Sequence, residues 1–322
     1  MNQRIRWYCL TGMLAVAFVS RPEDTAKRAA TSLQVTPSPL VTKTDRLDDR
    51  IIVRVDGATF TCYRFGSGQK YPYFYPVNGP ESGLSLTTES SLPYPHHRSL
   101  FFGCDRVNGG NYWQEGNELG QIISKGPRVL SDGPDIVQIQ DDCEWRQPGQ
   151  NPVMADHRDI RIRAPSRALR FIDFMITLTA LVDVKIERTN HSLFSARVEP
   201  VLSVKSGGML TNAEGSFAEK GTYGVSSSWC DYSGKHFGVT EGIAIFDSPA
   251  NPWFPSKWFT RDYGFFSPTP MEWLGEEGYR LKQADRVQLQ YRVIVHAGDS
   301  RQADLASLFE RWRNTSSSPA SR

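Results

Sequence analysis

Between residues 51 and 296 the apolar positions fall in short runs that alternate with polar ones, the period of extended chain rather than of helix. Residues 51–55 and 59–63 flank Asp56-Gly57, the strongest short-range hairpin signal, because Asp-Gly supplies the left-handed residues of a tight turn. Further strands are predicted at 71–77, 99–103, 119–125, 135–145, 159–163, 169–178, 183–188, 194–204, 242–247, 258–265 and 286–296. Turn clusters punctuate them at Asn108-Gly109-Gly110, Asp132-Gly133-Pro134, Ser206-Gly207-Gly208 and Ser233-Gly234. Short strands at such spacing predict an all-β fold, a large antiparallel β-sandwich, rather than βαβ units. The most apolar internal run, 171–184, is cut by Asp173 and Asp183 and rich in β-branched residues, which predicts a buried strand pair. A helical period occurs only near the C-terminus: Asp299 can cap, Gln302 follows three residues on, and Leu305, Leu308, Phe309 and Trp312 share one face.

The ends read differently. Arg4 and Arg6 precede an apolar run at 7–20, and Ala15-Val16-Ala17 offers a small-x-small cleavage site. This is the pattern of an export signal, too short for a bilayer span of about 20 apolar residues, and it predicts a secreted or periplasmic protein, with a short membrane-anchored or frayed N-terminus as the alternative. Residues 21–48, rich in Thr, Pro and Ser and without period, read as a linker. That leaves 49–314 as one sandwich domain and 315–322 as a disordered tail.

Composition narrows the classes further. With 39% hydrophobic and 11% aromatic residues in 322, the chain can build a core, which excludes global disorder. Lys+Arg 37 against Asp+Glu 35 leaves a net charge of +2, so there is no electrostatic footprint for nucleic acid. No glycine-rich loop joins a strand to a helix, so nucleotide binding has no support; the sequence leaves any cofactor unknown. Beyond Cys9 stand Cys62, Cys104, Cys143 and Cys230, with no CxxC pair; they read as buried small hydrophobes or as one or two disulfides.

Polar residues gather in four places. Pro93-Tyr94-Pro95-His96-His97-Arg98 leads into a strand and then into the turn that carries Asn108 and Trp113. Prolines stiffen that approach, and strand alternation would point only one of the two histidines into a cleft. A glycine-led segment carries Asn212 and Glu214, where an amide and a carboxylate serve a ligand or a plain surface turn equally well. In residues 258–264, alternation puts Phe259, Arg261 and Tyr263 on one face, as an anion-binding pair or as a salt bridge beside a packed tyrosine. The last strand buries Val287, Leu289, Tyr291, Val293 and Val295, leaving Gln290, Arg292 and His296 on the other face with Ile294. Trp229 in Trp-Cys-Asp-Tyr-Ser-Gly reads as a loop edge able to stack on a sugar ring.

Taken in order, YFYPVNGP (73–80), PHHRSLFFG (95–103), VNGGNYW (107–113), LTNAEG (210–215), WCDYSG (229–234), GIAIFDSPANP (242–252), WFTRDYGFF (258–266) and YRVIVHAGD (291–299) resemble a bacterial family labelled methane oxygenase PmoA, across about residues 50–314. The chain departs from that family in having Pro93-Tyr94-Pro95 where Asp-His-Pro usually stands, and Phe259 where His is common. A methane oxygenase subunit would need several membrane spans, and no integral membrane domain is legible here, so the label reads as a misnomer. What the resemblance implies is a secreted β-sandwich similar to galactose-mutarotase-like sandwiches, whose sugar sites use His, Glu and Arg on a concave sheet.

Together these readings predict an exported carbohydrate-active enzyme, a lyase, epimerase or hydrolase on a sugar or sugar-acid. His97 or His296 would be general acid or base with Glu214 as partner, and Arg261 would stabilise developing charge. His96, Arg98, Asn108, Trp113, Asn212, Trp229 and Tyr263 would bind the substrate. One alternative is a non-catalytic carbohydrate-binding or surface-assembly module. Another is a metal-dependent enzyme whose site is built from His96 or His97, His296 and Glu214. Buried charges and imidazoles are costly unless they satisfy one another, so His97, Arg98, Glu214, Arg261 and His296 are expected in one pocket.

Overall fold

The computed structural model describes residues 40–114 and 116–316. The leader-like segment 1–20, the linker stretch up to residue 39 and the tail from 317 lie outside the described residues. The first ten strands are β1 Thr42–Arg46, β2 Arg50–Val55, β3 Ala58–Arg64, β4 Tyr73–Val77, β5 Leu100–Val107, β6 Gly110–Tyr112, β7 Gln121–Ser124, β8 Arg128–Asp132, β9 Val137–Arg146 and β10 Met154–Ser166. Then come β11 Leu169–Ala180, β12 Val184–Ile186, β13 Ser192–Arg197, β14 Met209–Asn212, β15 Trp229–His236, β16 Val239–Asp247, β17 Trp258–Arg261, β18 Phe265–Pro268, β19 Tyr279–Leu281 and β20 Arg286–Ala297. Helix α1 is the short Ala218–Thr222, and α2 is Leu305–Ser316.

The strands form two antiparallel sheets, as the alternation predicted. The 11-stranded sheet runs β1-β2-β3-β4-β5-β13-β18-β17, with β6, β12 and β19 as side branches. The nine-stranded sheet runs β14-β15-β16-β20-β11-β10-β9-β7, with β8 against β9. The β2–β3 hairpin turns at Asp56 and Gly57, both left-handed at φ 48° and 81°. The run read as a buried strand pair is β11 followed by β12. Aromatic residues fill the space between the sheets: Phe102 of β5 meets Trp145 and Phe174, and Phe194 of β13 stacks on Tyr291 at 4.9 Å.

The second face of the nine-stranded sheet is covered by α2. Leu305, Leu308, Phe309 and Trp312 pack on Trp229, Ala244, Phe246 and Ile294. The Asp299–Gln302 capping box forms as predicted, with the Asp299 carboxylate accepting the Arg301 and Gln302 N–H groups. The helix nevertheless begins only at Leu305, because Asp304 takes φ 52° and breaks the helical path.

Other readings need correction. Residues 200–204, predicted as the end of a strand, instead enter two 3-10 turns at 200–202 and 204–206, since Pro200 has no N–H to continue the ladder. Residues 229–234, read as a loop edge, are strand residues of β15, paired between β14 and β16. Residues 42–46, inside the stretch read as linker, form β1 against β2. Thr315 and Ser316, assigned to the tail, end α2. All four cysteines among the described residues are buried and unbridged.

Candidate functional site

Alternation along β5 separates two environments. Phe102 faces the nine-stranded sheet, whereas Phe101 turns to the opposite face, where it stacks on Tyr71 at 4.8 Å and meets Trp113 at 4.7 Å. On that outer face, β5, β13 and β18 lie side by side, with Ser195 opposite Phe101 and Arg197 opposite Phe265. The proline-rich segment 93–98 folds over them. His97 packs on Phe265 at 4.3 Å and stacks with Tyr94 and Tyr263, while Arg197 sits 4.4 Å over the Tyr263 ring. His191, from the loop before β13, approaches Trp113 at 5.8 Å and His96 at 5.8 Å.

Buried polar atoms without partners concentrate here. His97 Nδ1, Trp113 Nε1, Ser195 Oγ, and Nε and Nη1 of Arg197 have no hydrogen-bond partner. The four residues are at most 3% exposed. Folded proteins leave few such groups, each costing about 1–3 kcal/mol, so several on one sheet face mark a place built for a ligand. Burial, then the neighbouring His96, Arg197 and His191, pushes the His97 pKa down to about 2, so this imidazole is neutral. Burial lowers the Arg197 pKa as well, and raises those of Tyr263 and of half-buried Glu199, the carboxylate two residues beyond Arg197.

Of the residues singled out in the sequence, the structure brings His96, His97, Trp113 and Tyr263 together, and places Arg98 beside them over the Tyr73 ring at 5.9 Å. Both histidines join the cluster because they sit in a turn ahead of β5, not in the strand, so alternation does not separate them.

The single-pocket expectation fails. His296 shares its face of β20 with Ile294, the face covered by α2, and its Nε2 meets the Asp231 carboxylate at 2.9 Å with both side chains fully buried. The whole inter-sheet core thus separates it from His97. Burial pulls the His296 pKa down, but Asp231 and the Ala297 and Gly298 backbone outweigh it and hold it above its ordinary value. Arg261 pairs with Glu219 at 3.2 Å and lies over Tyr223, the structural alternative. Glu214 stands on an exposed turn and is no partner to either histidine. Asn108 holds its hairpin by bonding Asp183 and Lys185 backbone. Asn212 and Trp229 line a separate cleft of about 550 Å³ beside the start of α2. The metal set of His96 or His97 with His296 and Glu214 falls with the same geometry.

Sequence reasoning missed His191, Ser195, Arg197 and Glu199. Arg197 left a signal, a lone charge in the otherwise apolar or small run of β13. His191 left none, since only the β5–β13 pairing brings it near His96. Two other constellations are closed by their geometry. Ser82 Oγ and Glu241 both meet Nδ1 of His236, so the three tie the 79–84 loop to β15 and β16 without forming a nucleophilic relay. In a cleft of about 430 Å³ beside α2, Asp159 and Asp173 are already held by Arg161, Arg163 and Arg292.

A model of a family of unknown function, DUF6807, matches residues 50–310. The chain belongs to this family. That match replaces the resemblance to the methane oxygenase PmoA family, to which nothing else points. Among the described residues no helix is long and apolar enough to cross a membrane. No curated protein matches the chain. Among solved structures, galactose 1-epimerase from Lactobacillus acidophilus NCFM is similar at 10% identity and TM-score 0.40, over 81% of this chain and 100% of that one. A galactose mutarotase related enzyme from Lactobacillus acidophilus follows at 9% and 0.31, over 80% and 98%. A polysaccharide lyase gives 10% and 0.28, over 86% of this chain and 35% of that one. Likeness at this level carries no functional conclusion for this family member.

Proposed function

We propose that this chain is a carbohydrate-active protein whose site is the outer face of the 11-stranded sheet around His97 and Arg197, and that its ligand is a sugar bearing a carboxylate. The observation that carries this reading is Arg197: a buried guanidinium with two N–H-bearing nitrogens unpartnered and no carboxylate paired to it among the described residues. A planar carboxylate matches that fork, and burial strengthens the interaction. Tyr94, about two-fifths exposed, and Tyr263 supply ring faces for the apolar side of a pyranose. Ser195 Oγ, Trp113 Nε1 and neutral His97 supply donors and acceptors for hydroxyls. The test is thermal denaturation of the purified protein with oligomers of glucuronate, galacturonate and mannuronate beside their neutral counterparts. An acidic oligomer at a hundredfold its Kd should add about 2.7 kcal/mol of stability. Equal stabilisation by neutral sugars, or none by any acidic one, overturns the reading.

A non-catalytic binding role is the second reading. It is favoured by the exposed turn on which Glu214 stands and by the burial that holds the His97 pKa at about 2, both of which speak against the expected His/Glu acid–base pair. Prolonged incubation with the bound oligomer separates the two: a new reducing end, an unsaturated product or an epimer establishes an enzyme, and unchanged ligand establishes a binding module.

A further inference from the structure

We propose that His96, His97 and His191 form a binding site for a divalent metal ion of the zinc type. One ring nitrogen from each lies within 4.8 Å of the other two. A tetrahedral zinc ion holds its nitrogens about 3.3 Å apart, so closure asks for roughly 1.5 Å of approach at most, within reach of side-chain rotation. The rings are arranged for a shared centre rather than a stack. His96 and His97 stand 4.5 Å apart at 82°, and His96 and His191 stand 5.8 Å apart at 89°.

Two independent features support a metal rather than a packing role. First, His97 is 3% exposed and its Nδ1 meets no hydrogen-bond partner, which a purely structural histidine would have found. Second, His191 is oriented from behind. Its Nδ1 lies 3.1 Å from the carboxylate of buried Asp105, which in turn accepts the Thr189 hydroxyl. A carboxylate on one ring nitrogen fixes the tautomer and leaves the other nitrogen as the ligand, the arrangement that recurs behind metal-bound histidines. Three nitrogens leave a fourth position open, as in catalytic rather than structural zinc sites.

Charge balance says what fills that position. Arg197 on the same face opposes a second cation, and Asp105 offsets only one charge. The open position therefore favours an anionic oxygen, which agrees with the acidic ligand proposed above, although metal binding does not depend on that ligand.

The test uses untagged protein, stripped with chelator and titrated with Zn²⁺ alone by calorimetry, with bound metal counted by mass spectrometry. The expected result is about one equivalent, a rise in thermal midpoint and a tetrahedral absorption band on Co²⁺ substitution. His191→Ala, partly exposed and tolerant of truncation, should lose at least a hundredfold in affinity. Asp105→Asn should lose about 10–100-fold with the apo fold retained. Less than a tenth of an equivalent in the wild type, or unchanged affinity in folded His191→Ala, overturns the proposal. Acidic sugar binding by the chelator-treated protein would then leave the carbohydrate reading standing, while Zn²⁺ binding without any sugar binding would leave only the metal site.

Discussion

Replacing Arg197 by methionine should make the protein more stable and abolish ligand binding. The residue is 2% exposed, and its Nε and Nη1 have no partner. Two unsatisfied buried donors cost about 2–6 kcal/mol together, at about 1–3 each. The Tyr263 ring 4.4 Å away returns about 0.5–2 kcal/mol. The difference favours an apolar side chain of similar reach, and methionine fits irregular space without a donor. Swaps of buried ion pairs for well-packed apolar residues have gained about 1–4 kcal/mol, and an unpaired guanidinium forfeits no ion pair when it is replaced. Urea denaturation of Arg197→Met should show a higher midpoint at unchanged slope, and its Tm should rise by about 2–8 °C. The same variant should show no thermal shift with any acidic oligomer. A loss of stability of about 1 kcal/mol or more would refute the reasoning, because it would mean that the guanidinium is satisfied in the free protein.

Three more outcomes follow from the rest of the structure. The raised pKa of His296 means that its pairing with Asp231 contributes fully below the unfolded value of 6.5 and is lost as pH rises through the folded value, so urea stability should fall over that window. Asp231→Asn should flatten that slope and cost about 3–5 kcal/mol, and a wild type indifferent to pH there would count against a charged pair. In Gly242→Ala the new Cβ would stand 2.6 Å from Ser233 Cβ, 2.7 Å from Tyr232 O and 2.8 Å from His296 Cε1, so urea unfolding should register a loss of about 1–3 kcal/mol. Glu214→Gln, on an exposed turn, should leave the ligand-induced thermal shift unchanged, and its loss would return Glu214 to the site.

Local structure was legible along the chain. Asp56-Gly57 specified its hairpin because few residues tolerate φ of 48° and 81° in succession. The alternation of β20 sorted Val287, Leu289, Tyr291, Val293 and Val295 into the core and Ile294 with His296 onto the other face, because successive side chains in a strand must diverge. The motif at 95–98 was legible as a candidate site for its composition, and three of its members lie in or beside the cluster that the structure assembles. Which distant residues would join it was not legible. His191 and Arg197 reach His97 only because β13 lies between β5 and β18, and strand order is a non-local choice with no periodic trace in the chain. The same sheet order sent His296 to Asp231, and the packing of α1 on β17 sent Arg261 to Glu219, giving each buried or half-buried charge a private partner in place of a common pocket. Period and turn chemistry act between neighbours in sequence. A site is made between neighbours in space, and only the packing of two sheets decided which polar groups would find partners and which would be left waiting for a ligand.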